Sequence, residues 1–123
     1  MSLNWNHLCE LATKEIEATL AELPKPLADR AAKLPVTFEP RPNQELQIEG
    51  IAADTLGLFT GAEFVDEEMI PMPPQIILFL ENLWEFAESS EEIFCEEIHT
   101  TFLHELGHYF GLDEDELTER GLE

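Results

Sequence analysis

Residues 104–116 read HELGHYFGLDEDE, and the conformation assigned to that stretch decides the fold and the chemistry together. On a helix, His104 and His108 are separated by roughly 40° of rotation and one turn of rise, so their imidazoles leave the same face side by side. Zinc takes neutral imidazole nitrogens at about 2.0–2.1 Å, and a catalytic site stops at three protein ligands to leave one position open. Glu105 stands next to the pair. There its carboxylate can take a proton from metal-activated water and pass it to a leaving amine. Gly111 falls seven residues after the first histidine, where a turn can swing the chain back toward the metal, and acids follow at Asp113, Glu114 and Asp115.

Working upstream, Ser89 and Glu92 have the spacing of a capping box, which predicts a helix with Ser89 as N-cap running to about Phe110. Gly111 supplies the residue that commonly closes a helix, and Asp113 with Glu116 opens a last short one ended by Gly121. Before this helix the texture is mixed. IILFL at 76–80 is apolar on both faces, as a covered strand is, and GLFTGAEFV at 57–65 reads as strands around a Gly61 turn. VTFEP at 36–40 alternates like a strand, and LQIEG at 46–50 reads as a brief strand or loop. The prolines at 71, 73 and 74 form a stiff loop. The first part is helical: a 3.6-residue period from Ser2 to about Leu23 is stopped by Pro24, and PLADRAAKL makes a second short helix before Pro35. Helices, a few strands, then helices again define an α+β domain over residues 1–123.

At this point the resemblance is to the small bacterial zincin-like metallopeptidases, whose extended motif H-E-x-x-H-x-x-G-x-x-[E/D] is matched by HELGHYFGLDE. The resemblance covers GLFTG, IILFL, the helix and the tail, and only weakly the first fifty residues. It implies a minimal zincin-like domain, a small sheet packed on an N-terminal helix and an active-site helix near the C-terminus. It also implies zinc held by His104, His108 and an acid after Gly111, with Glu105 as general base. Counting ten from His104 gives Glu114, with Asp115 and Asp113 as rivals; Asp113 is also suited to capping the next helix. The pattern departs from two larger relatives of the fold, and neither is expected here. Metzincins need a methionine turn after the motif, yet Met1, Met69 and Met72 all precede it, and gluzincins place their glutamate on a later helix. Tyr109 and Arg120 are the downstream residues of a type that meets a developing oxyanion, and Tyr109 is turned from the metal side. Slow or narrow proteolysis is the expectation.

Composition limits the partners. With 27 Asp and Glu against 6 Lys and Arg, the formal charge is −21, a field that repels nucleic acid and anionic lipid and favours a peptide or protein substrate carrying basic residues. An extended peptide lying along a strand edge would meet the chain around Phe59 and Thr60. No basic region precedes an apolar block at the start, and no apolar run is long enough to span a membrane, so a cytoplasmic location is expected. Cys9 and Cys95 lie outside any C-x-x-C pair and read as buried free thiols.

The remaining candidates have plainer readings. His99 is about 140° round the helix from His104 and reads as a surface or capping-region histidine, not a ligand, and His7 as a structural one. Trp5 and Trp84 read as core aromatics, Met69 and Met72 as loop packing, Glu96 and Glu97 as a solvated face. Thr101, one turn before the motif, is placed to support the site by a hydrogen bond. Two alternatives to the peptidase stay open: a non-catalytic acidic binding protein that holds zinc for shape, and a structural domain that binds no metal. Manganese, iron or nickel would also accept two imidazoles and a carboxylate.

Overall fold

The computed structural model describes residues 4–61 and 74–110. Helix α1 spans Trp5–Glu22; Asn4 Oδ1 caps it by accepting from the His7 amide at 3.1 Å, and extended Leu23 and Pro24 end it. Its buried residues Leu8, Ala12 and Ile16 fall four apart, the apolar stripe of a one-faced helix. Helix α2, Lys25–Ala31, carries Pro26 in its first turn, where the missing amide hydrogen costs nothing.

Three strands follow in the chain: β1 at Val36–Glu39, β2 at Gly57–Thr60 and β3 at Gln75–Phe79. Their order is β1-β3-β2, with β1 parallel and β2 antiparallel to β3. The two-sided apolar run thus becomes the central strand, and Ile76, Leu78 and Phe79 are fully buried. Between β1 and β2 lies a one-turn helix, α3 at Gln44–Ile48, where the sequence suggests a brief strand or loop. Asn43 Oδ1 accepts from the Leu46 amide at 2.9 Å, and that local cap outweighs the strand tendency of Leu46 and Ile48. A second strand after Gly61 lies outside the described residues, as do the proline loop through 73, Met69, Met72 and the closing helix.

Strand β3 passes straight into helix α4, Leu80–Phe86, and helix α5 spans Glu91–Tyr109. The cap of α5 is Ser90, not Ser89: Ser90 Oγ accepts from the Ile93 amide at 3.3 Å. Ser89 is occupied in closing α4. Its amide donates to Trp84 O at 3.1 Å, and both it and Glu88 adopt left-handed backbone, φ 63 and 53, whereas an N-cap needs the extended backbone of Ser90.

Helix α5 buries Phe94, Ile98, Phe102 and Leu106, again four apart, among α1, α4 and the sheet. Each large side chain so buried contributes about 1.5–3 kcal/mol. Two histidines stitch α1 to α5. His7 pairs with Glu91, and His99 Nδ1 lies 2.8 Å from Thr19 Oγ1 and 3.9 Å from a Glu15 oxygen. His99 is therefore a partly buried bridge between helices and not the surface histidine expected. Arg41 fastens the segment ahead of β2. Its Nη1 donates to Asn82 Oδ1 at 2.8 Å, and Asn82 Nδ2 donates to the carbonyls of Ala53 and Thr55 at 2.8 and 2.9 Å. Asn82 is buried, and its polar atoms are thereby satisfied. No helix of the described residues is long and apolar enough to cross a membrane. Cys9 and Cys95 are free thiols, partly rather than fully buried.

Candidate metal centre

The last two turns of α5 point three faces of the helix in different directions. Phe102 and Leu106 face the core; Thr101, Glu105 and Tyr109, four apart, form the next stripe; His104 and His108 form the one beside it. The core stripe holds the helix in place, so the histidine pair projects from a rigid element, partly exposed.

His104 Nε2 and His108 Nε2 lie 3.1 Å apart, with ring centroids at 4.7 Å and ring planes at 86°. Two nitrogens each about 2.0–2.1 Å from one tetrahedral ion would be separated by about 3.3 Å. The observed spacing matches that bite closely, and a carboxylate oxygen of Glu105 belongs to the same group, all ligand atoms lying within 4.8 Å of one another. Among the described residues no other group of three histidine, cysteine or acidic side chains converges in this way. The donor set, two borderline imidazole nitrogens and a hard carboxylate, is one that zinc accepts.

A family profile described as zincin-like metallopeptidase matches residues 31–122. The chain belongs to that family. A search of curated proteins finds no match. The span matched to the family takes in the sheet, α4 and α5, while α1 lies outside it. Helix α1 nonetheless supplies Leu8, Ala12 and Ile16 to the core and clasps α5 through His7 and His99.

The structure thus brings together three of the residues singled out in the sequence, His104, Glu105 and His108, and keeps His7 and His99 in the seam with α1. Glu114, Asp113, Asp115 and Gly111 lie outside the described residues. Tyr109 is buried, with its ring 5.8 Å from that of Phe59 on β2, so it packs as expected. Thr101 turns its methyl toward Gly57 of β2. The role of Gly57 went unnoticed in the sequence, although a glycine opening a strand of apolar and β-branched residues is itself a signal of close approach.

Proposed function

We propose that the chain is a zinc-dependent peptidase in which His104, His108 and Glu114 hold the metal and Glu105 is the general base. The observation that carries this reading is the 3.1 Å separation of the two Nε2 atoms with the Glu105 carboxylate in the same cluster. Zinc, when bound, supplies Lewis acidity toward water and the scissile carbonyl. Glu105 accepts the proton that water loses as its oxygen bonds to the carbonyl carbon, and delivers it to the amine nitrogen as the C–N bond breaks. Asp115 and Asp113 remain the rivals of Glu114 for the third position. Tyr109, buried and packed against Phe59, is not assigned as an oxyanion donor in this reading, and turnover is expected to be slow or narrow.

The substrate of this reading is an extended peptide, and the register of β2 names the groups that would receive it. Phe79 N donates to Leu56 O at 2.9 Å, so Leu56 and Phe79 are a hydrogen-bonded antiparallel pair, and the alternation makes Leu58 and Thr60 bonded as well. Ile76 donates instead to Pro35 O at 3.0 Å, toward β1, which fits its non-bonded position opposite Phe59. The amide and carbonyl groups of Gly57 and Phe59 therefore point away from β3, on a side with no strand among the described residues. These two, rather than Phe59 and Thr60, are the backbone contacts proposed for a peptide, and the charge of −21 favours basic ones.

The test is elemental analysis of protein purified without added metal, followed by cleavage of a peptide library by the wild type and by Glu105→Gln. One zinc per chain, cleavage by the wild type and its loss in the zinc-loaded variant are expected. A zinc-loaded wild type that cleaves nothing would leave the non-catalytic binding protein, and cleavage retained by Glu105→Gln would remove the general base. Glu114→Ala should lose zinc affinity; unchanged affinity takes it out of the ligand set.

A further inference from the structure

Gly57 opens β2, an edge strand of the sheet among the described residues and a place where glycine is disfavoured because it has no side chain to pack and the most backbone freedom to lose. Its backbone does not require glycine, since the positive-φ glycines among the described residues are Gly50 and Gly61. What it lacks is space. A β-carbon on Gly57 would lie 2.6 Å from Thr101 Cγ2, 3.3 Å from Leu78 Cδ2 and 3.5 Å from Glu105 Cγ. Thr101 is buried on α5 and β-branched, so its methyl cannot swing away cheaply. Glu105 comes from the next turn of the same stripe, its methylene at ordinary contact distance from the vacant position.

From this geometry we infer that Gly57 is a positioning residue, whose missing side chain sets the distance between the edge of β2 that faces away from β3 and the α5 turn that carries the histidine pair and Glu105. The inference rests on the peptidase reading and adds to it the device that fixes how high a strand-aligned peptide sits above the general base. Carbon atoms in contact prefer about 3.5–4.0 Å, so a methyl group at position 57 has to push helix and strand apart by about 1 Å. The histidines and Glu105 share one helix and move together. Their mutual geometry is kept, so the two imidazoles hold zinc as before, while the distance from Glu105 to the peptide bond changes. A misplacement of that size costs on the order of 100-fold in rate.

The experiment compares Gly57→Ala, Thr101→Ser and the double variant Gly57→Ala/Thr101→Ser with the wild type for zinc affinity, kcat and KM on the best peptide of the library. Gly57→Ala should keep its zinc affinity and lose about 100-fold in kcat/KM, mostly in kcat. The double variant, which keeps the added carbon but removes the methyl it strikes, should recover most of the loss. Wild-type turnover in Gly57→Ala overturns the inference, as does a folded double variant that binds zinc and shows no recovery. If Gly57→Ala does not fold, the double variant alone decides: folded and active upholds the inference, folded and inactive overturns it. Failure of the peptidase reading looks different, because there the zinc-loaded wild type itself cleaves nothing, and the inference falls with it.

Discussion

Replacing Thr19 by valine tests the seam that holds the metal-bearing helix in place. Thr19 Oγ1 lies 2.8 Å from Glu15 O and 2.8 Å from His99 Nδ1. A carbonyl oxygen can only accept, so the single hydroxyl proton is committed to Glu15, and Oγ1 must accept from His99. His99 therefore donates from Nδ1. Valine keeps the shape of threonine, and Thr19 is buried, so packing changes little. The bond to Glu15 contributes little, since that carbonyl lies within the body of α1. What is lost is the bond to His99, about 1 kcal/mol, and the histidine, with 36% of its side chain exposed, can regain water. Thr19→Val should thus lower stability by about 1 kcal/mol and the melting temperature by about 3–6 °C. Urea unfolding followed by circular dichroism measures the first. Nitrogen-15 imidazole shifts measure the tautomer, expected as Nδ1–H in the wild type and shifted toward Nε2–H in the variant. A wild-type Nε2–H tautomer, or unchanged stability in Thr19→Val, would refute the reasoning.

Two further outcomes follow from the charged groups. Arg41, by its hydrogen bond first and its charge second, holds the Glu85 carboxyl below the usual carboxylate range. A group whose pKa is depressed on folding contributes stability above its unfolded pKa and loses it as the pH falls through the folded value. Glu85→Gln should therefore flatten the acid limb of stability against pH at low salt, and a limb parallel to the wild type would remove the pair from the account. Burial first, then the charges of Glu15 and Glu91, push the Cys95 thiol up. In a Cys9→Ser background it should react with a disulfide reagent at neutral pH more slowly than free cysteine, and faster once Glu91 is changed to Gln; a rate equal to free cysteine contradicts the assignment.

How much was legible in advance varies from element to element. IILFL was readable as a covered strand because residues that are apolar on both faces need cover on both; its first four residues lie in the central strand, and Leu80 opens α4. The cap of α5 was misplaced by one residue. The capping-box spacing to Glu92 favours Ser89, but the left-handed pair Glu88–Ser89 that closes the preceding helix leaves the cap to Ser90. Helix α3 was not expected, because Leu46 and Ile48 suggested a brief strand or loop and the Asn43 cap emerges only in the structure.

The histidine pair belongs to what the amino-acid order determined alone: four residues of α-helix place two imidazoles together wherever the helix lies, because the spacing is set by covalent geometry and one run of hydrogen bonds. Only the tertiary structure decided that Gly57 faces Thr101 and Glu105, and that Thr19 Oγ1 accepts a hydrogen bond from His99 across the seam. Those contacts join residues more than forty positions apart. They arise when burying Phe94, Ile98, Phe102 and Leu106 presses α5 against α1 and the sheet, and no local pattern along the chain encodes which atoms then meet.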